Sequence, residues 1–317
     1  MKIRSQTSSH IAFLALVAVL LAVGVGVGVA EAASNKSSTK KATSWMTRAK
    51  LTQFPGSGFR ADAVSAFAAA KRIGANSKSS AKNRFIADLE KEAPQYAQTA
   101  GATGKLILAA VAASKNPRCF GVTGGKLDLY NKLMSFYSSN GKFGSSAFDQ
   151  ALAVLALKAA RQRVPAAAVK HIKSARGKNG WNFAMSKSRG DDVESTALVI
   201  EALRAAGVKR RDKALTQAYR WLTFQRNTDG GFNPGAAAGV TQANTTAFAI
   251  RAADALGKNN KKAKQALRAL QMKNGSFRDT PTTAGKYRGI ATSDAVIALS
   301  GAHYPVVSRK KAGTSCL

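Results

Sequence analysis

Apolar and polar positions along the chain alternate between two kinds of helical segment. One kind carries a narrow apolar stripe among charges, as in Asp212 to Gln225. There Leu215, Ala218, Tyr219 and Leu222 recur at i, i+3, i+4 and i+7, while Arg210, Arg211, Lys213, Arg220 and Arg226 supply the wet face. The other kind is nearly free of charge and rich in small residues, as in Thr246 to Leu256, which Asn244 or Thr245 can cap and Gly257 ends. The asymmetry recurs. Ala147 to Ala160, Thr196 to Ala206 and Ala291 to Ser300 are bland, and their preceding partners near Asn131 to Tyr137, Pro165 to Arg176 and Asn260 to Met272 are basic.

A glycine-aromatic turn separates the two segments of each pair. Four turns are plain: Gly141-Lys142-Phe143, Asn179-Gly180-Trp181, Asp229-Gly230-Gly231-Phe232 and Asn274-Gly275-Ser276-Phe277. Ser57-Gly58-Phe59 reads as a fifth, and a sixth unit around Gln95 to Gly104 keeps the rhythm without the aromatic. From Phe143 the intervals are 38 residues to Trp181, 51 to Phe232 and 45 to Phe277, while the 84 residues from Phe59 to Phe143 leave room for two units. A single hairpin cannot bury its own apolar face, so a repeat of this period predicts stacking. Charge-poor helices belong inside and charged amphipathic ones outside. The expected fold is therefore all-α, a ring of six inner helices within six outer ones, with an open solenoid as the competing arrangement.

The turn pattern resembles the QW repeat of the terpenoid cyclase and protein prenyltransferase superfamily, whose domains are α6/α6 toroids. Gln53, Gln225 and Gln271 precede the turns at Phe59, Phe232 and Phe277, and the glutamine is missing before Phe143 and Trp181. The resemblance covers residues 43–304 and implies a structural role for these glutamines and aromatics. Exported bacterial proteins and the cobalamin carriers of animals share the toroid.

The ends of the chain add a location. Lys2 and Arg4 precede an uncharged apolar run from Ile11 to Ala30, and Ala30-Glu31-Ala32 fits a small-x-small cleavage site, so residues 1–32 read as a signal peptide. The run is also long enough to span a bilayer as an uncleaved anchor. Either way the rest of the chain is expected outside the cytoplasm, secreted or on the cell envelope. Residues 33–42 read as a flexible basic linker, 43–304 as the toroid and 305–317 as a tail. The net charge is +33, and removal of residues 1–32 takes out Lys2, Arg4 and Glu31 and leaves +32. Outside a cell such charge meets anionic envelope polymers or lipid surfaces. Nucleic acid is not expected, because no stacking aromatics interleave the basic residues. The chain is expected to be a monomer. Cys119 and Cys316, the two cysteines of the chain, can pair in an oxidising compartment. Neither they nor the three histidines have metal-site spacing, and no cofactor is expected.

Candidate chemistry centres on Gly190-Asp191-Asp192-Val193-Glu194-Ser195-Thr196-Ala197. It resembles the Asp-x-Asp-Asp-Thr-Ala motif of squalene-hopene cyclases, whose middle aspartate protonates an alkene. On that resemblance Asp192 takes the first position, Glu194 the acid position and Ser195 the last, so one carboxylate is lost. Acidic residues in a first helical turn also serve simply as caps. The prenyltransferase zinc set has no counterpart, since Thr292 or Ser293 stands where its histidine would be. The two-toroid size of triterpene cyclases also tells against cyclisation in a chain that supplies one. Asp62, Asp149, Asp192 and Glu194 read as helix-start carboxylates around one mouth, which leaves glycoside hydrolysis open. The leading expectation is a non-catalytic toroid that binds a small ligand at its mouth or an anionic envelope surface. Its candidate residues are Asp62, Asp149, Asp192, Glu194, Gln242, Asn244, Tyr287, Arg288, Thr292 and Asp294. The alternative is a divergent cyclase-type or glycan-active enzyme using Asp192 and Glu194.

Overall fold

The computed structural model describes residues 30–75, 79–122, 125–235, 239–282 and 287–306. Among them are twelve α-helices and no strand, with isolated bridges only at Phe120–Leu127 and Gln271–Phe277. The inner helices are α2 (Ser57–Arg72), α4 (Ala100–Ala112), α6 (Ala147–Ala159), α8 (Val193–Ala205), α10 (Ala243–Leu256) and α12 (Arg288–Leu299). The outer ones are α1 (30–48), α3 (Ser79–Tyr96), α5 (Leu129–Met134), α7 (Ala166–Ser174), α9 (Lys213–Phe224) and α11 (Lys261–Ala269). Each inner helix packs on the next, and α12 packs on α2. The ring is closed, which removes the open solenoid.

Burial follows the charge pattern. In α6 only Phe148, Asp149 and Lys158 escape burial, whereas α11 buries just Ala263, Ala266 and Leu267 along one stripe. Small residues set the inner spacing. A Cβ added to Gly104 of α4 would lie 2.9 Å from the Leu152 carbonyl of α6, so only glycine permits that approach.

The four plain turns share one device. Phe143, Trp181, Phe232 and Phe277 are buried, and each donates its backbone N–H to a side chain on the following inner helix. The acceptors are Gln150 Oε1 (2.9 Å), Thr196 Oγ1 (2.9 Å), Thr246 Oγ1 (3.0 Å) and Thr292 Oγ1 (2.9 Å). Thr196, Thr246 and Thr292 therefore staple three of the turns to their helices, and Gln150 staples the fourth. Of the three glutamines, Gln271 braces its turn, donating to the Gly275 carbonyl at 3.0 Å.

Two expectations are corrected. Ser57-Gly58-Phe59 is not a turn but the start of α2. The buried aromatic of that unit is Phe54, whose ring meets Phe85 edge-on at 4.9 Å. Residues 33–42 are not a linker: they are helical within α1, with Asn35, Ser38, Thr39 and Ala42 buried. This stripe has helical period but is largely small and polar, so hydropathy hides it. It docks on the last repeat, where Ser38 donates to Gln271 Oε1 (2.6 Å), Gln271 Nε2 donates to the Ser38 carbonyl (2.9 Å), and Arg268 bonds Asn35. The outer layer thus closes through α1 and α11. The signal segment, and the tail after residue 306, lie outside the described residues. No helix among the described residues is long and apolar enough to cross a membrane.

Gly275 makes the outer closure testable. It has φ +96°, and a Cβ there would strike the Lys41 backbone of α1, whereas Gly207 has φ +94° with open space around it. Gly207→Ala is expected to cost about 1 kcal/mol from backbone strain alone. Gly275→Ala is expected to cost roughly 2–4 kcal/mol, because overpacking adds to the strain. Equal costs in urea unfolding would remove Gly275 as the closure point.

Candidate functional site

All six inner helices start at the same end of the ring, and a cavity of about 150 Å³ opens there. Its rim carries Phe59, Phe148, Glu194, Asn244 and Ile290, each within the first turn of its helix. Deeper lie Asp62, Lys105, Leu152, Leu198, Phe248, Arg251 and Asp294, and Tyr304 from the segment after α12 forms the floor.

Asp192, the N-cap of α8, accepts from the backbone N–H of Ser195 (2.7 Å) and of Phe183 (2.8 Å). Asp192 meets the capping requirement, which leaves the Glu194 carboxyl free to face the cavity. There Thr245 donates its hydroxyl to Glu194 Oε1 at 2.6 Å, and Asn244 Nδ2 donates at 3.2 Å. Burial pushes the Glu194 carboxyl above the usual carboxylate range, against the Thr245 hydrogen bond and with help from Asp192 and Asp279.

The floor is a buried charge network. Arg251 is fully buried and donates from Nε to Glu201 Oε1 (3.1 Å) and from Nη1 to Asp294 Oδ1 (2.9 Å). Lys105 donates to Asp62 Oδ2 at 2.6 Å. Tyr304 joins the two halves, its backbone N–H donating to Glu201 Oε2 (2.7 Å) and its hydroxyl to Asp62 Oδ1 (3.2 Å). Burial works to lower the Arg251 and Lys105 cations, but their carboxylate partners hold both above their ordinary values. For Asp294 burial prevails over Arg251, and Asp62 adds to it, so the carboxyl is pushed up to about 7.

Of the ten candidates, Asp62, Glu194, Asn244 and Asp294 line this cavity. The other six do not. Asp149 turns sideways, accepting from Ser146 (2.7 Å) and from the Gly101 N–H (2.9 Å). Asp192 is the cap, and Gln242 accepts from Thr245 (3.3 Å) just outside the rim. Thr292 is occupied by the Phe277 staple. Tyr287 is exposed beyond the lining, and Arg288 opens α12 without reaching it. Asp62 is also not a helix-start residue, since α2 begins five residues earlier. Lys105, Glu201, Arg251 and Tyr304 had not been singled out. A signal for the first three exists, because a charge flanked by apolar residues in mid-helix, as Lys105, Glu201 and Arg251 are, must find a partner when buried. Cys119 is disulfide-bonded; its expected partner, Cys316, lies outside the described residues.

No protein-family model and no curated protein sequence matches the chain. Solved structures do share its shape. The type II terpene cyclase MstE from Scytonema is 15% identical with a TM-score of 0.57, over 85% of this chain and 98% of that one. An ent-copalyl diphosphate synthase from Streptomyces platensis is 16% identical with a TM-score of 0.52, over 78% of this chain and half of that one. A glycosidase is 11% identical with a TM-score of 0.50, over 76% and 85%. The chain therefore has the α/α-toroid fold of the terpenoid cyclases. Its near-complete overlap with MstE overturns the size argument, because one toroid is the whole of that enzyme's chain.

Asp294 sets a pH dependence. Its folded pKa lies above the ordinary 3.8, so the folded chain holds a proton that the unfolded chain has already released. Stability is full below about 4 and falls as pH rises to about 7, by up to roughly 4 kcal/mol at 1.36 kcal/mol per unit. Asp294→Asn is expected to flatten that part of the curve of unfolding free energy against pH. Parallel wild-type and variant curves would refute the assignment.

Proposed function

We propose that this toroid is an exported binding protein whose central cavity takes a small, mainly apolar ligand, with Glu194 as the polar group at its rim. The observation that supports the reading is the division of labour in the first turn of α8. Asp192 caps the helix, while Glu194 is left over a cavity walled by Phe148, Leu198 and Phe248. Burial raises its carboxyl above the usual carboxylate range. Size favours binding over cyclisation. A cavity of about 150 Å³ accommodates a ligand of benzene size. MstE has been captured in complex with geranylgeranyl dihydroxybenzoate, and a geranylgeranyl chain is several times bulkier.

A second reading is favoured by one observation. A carboxyl whose pKa is raised by burial over an aromatic-walled cavity is the arrangement a general acid needs, so a divergent proton-transfer enzyme using Glu194 is the alternative. Glutamine is isosteric with a protonated glutamate and keeps a donor. Under the binding reading, the ligand that native mass spectrometry finds on protein recovered from the envelope of its own organism stays on Glu194→Gln within about tenfold in affinity. No turnover of prenyl or glycan substrates accompanies it. Turnover by the wild type that is abolished in Glu194→Gln would replace this reading with the enzymatic one.

The basic exterior belongs to the same proposal. A net charge of +33 suits retention on an anionic envelope polymer or lipid. Retention on isolated envelopes is expected to collapse between about 0.15 M and 1 M salt, as the Debye length shrinks from about 8 to 3 Å. Retention that persists in molar salt would rule out the electrostatic attachment.

A further inference from the structure

Beside the cavity lies one strong donor that no group among the described residues uses. Arg251 Nε and Nη1 are engaged by Glu201 and Asp294, but the buried Nη2 has no hydrogen-bond partner. The guanidinium cannot swing away to find one. It is held between the Phe248 ring at 4.2 Å and the Tyr304 ring at 5.0 Å, and both rings line the same cavity. At the rim, seven residues earlier on the same face of α10, Asn244 Oδ1 is likewise unpartnered. Two helical turns, about 10 Å, separate the two positions. An unmet donor at the floor, an unmet acceptor at the rim and apolar walls between them describe the complement of a ligand.

Resting on the reading of the cavity as a binding site, we infer that its ligand is a small neutral molecule with an oxygen acceptor on an apolar ring or short chain. The oxygen accepts from Arg251 Nη2, and the hydrocarbon lies against Phe148, Leu198 and Phe248. Charge selects the class. Both cations of the floor already face carboxylates, Lys105 with Asp62 and Arg251 with Glu201 and Asp294. An anionic ligand would therefore bring an uncompensated charge among acidic groups, which burial penalises heavily. A cationic ligand would leave Nη2 unpaired and meet its positive charge. A carbonyl, ether or hydroxyl oxygen satisfies the donor and adds no net charge.

Four probes of one size separate the possibilities: cyclohexanone, cyclohexane, cyclohexanecarboxylate and cyclohexylammonium. They are titrated against the folded protein by NMR, with the ketone C=O stretch followed by infrared spectroscopy. A hydrogen bond from a charged donor predicts cyclohexanone about ten- to hundredfold tighter than cyclohexane, a red-shifted C=O stretch, and weaker binding of both ions. Cyclohexane binding as tightly as the ketone, or either ion binding tightest, would overturn the inference and leave the cavity reading intact. If no probe binds at all, the cavity reading fails and takes this inference with it. Arg251→Lys keeps the positive charge but removes Nη2, so the advantage of the ketone over cyclohexane is expected to vanish. Should that variant not fold, the wild-type series decides alone.

Discussion

The ring is organised around one arginine. Arg251 sits in the middle of α10 between Ile250 and Ala252, fully buried, where an isolated charge would be expelled from the fold. Glu201 from α8 and Asp294 from α12 make its burial tolerable, so three adjacent inner helices share one register. Tyr304 extends the same network to Asp62 and Lys105, which brings in α2 and α4. α6 is joined otherwise, by the close approach of Gly104 to the Leu152 carbonyl and by the Gly101 N–H donating to Asp149. Hydrocarbon of equal volume would often hold helices together as well as such a network, or better. What hydrocarbon cannot supply is a polar floor with a directed donor. The network therefore bears on what the cavity accepts as much as on stability.

The rim follows from a local competition at the helix starts. Every inner helix exposes unsatisfied N–H groups toward the mouth. Where a cap residue precedes the helix, as Ser146 does for α6 and Asp192 for α8, the capping requirement is met and later side chains are released. Glu194 is released in this way. Asp149 is not, because its carboxyl is held by Ser146 and by the Gly101 N–H on the neighbouring helix. Two acidic residues at nearly the same register thus have different fates, decided by their own caps and by the adjacent inner helix.

That dependence marks how far the sequence could be read. Repeat period, inner and outer helices and ring closure were legible, because each rests on local composition and on glycine-aromatic turns. Four of ten proposed mouth residues reach the cavity. Thr292 was legible in principle, since Thr196, Thr246 and Thr292 stand at matching positions and act as turn staples. The first unit was misread because Phe54 and Phe59 both flank its glycines, and the pattern cannot say which one is buried. The helical stripe Asn35, Ser38, Thr39 and Ala42 escaped because small polar side chains bury at a helix crossing without raising hydropathy. Lys105, Glu201 and Arg251 escaped because the inner helices were read by their average rather than by their exceptions. Which partner satisfies a lone buried charge is a tertiary fact.

The most distant contacts are the ones that close the ring. Ser38 and Gln271 are 233 residues apart and Tyr304 and Asp62 242, while the contacts within each hairpin of the repeat are local. Closing so long a loop is less costly than its length suggests. Loop entropy grows with the logarithm of length, so going from one repeat to the whole chain adds only about 1.5 kcal/mol. Three hydrogen bonds at the α1–α11 seam, each contributing about 0.5–1.5 kcal/mol net, together with the fit of Gly275 on Lys41, are of a size to offset it. The seam ties the outer layer, while the cavity itself is enclosed by the inner helices, α12 on α2 among them, and by Tyr304.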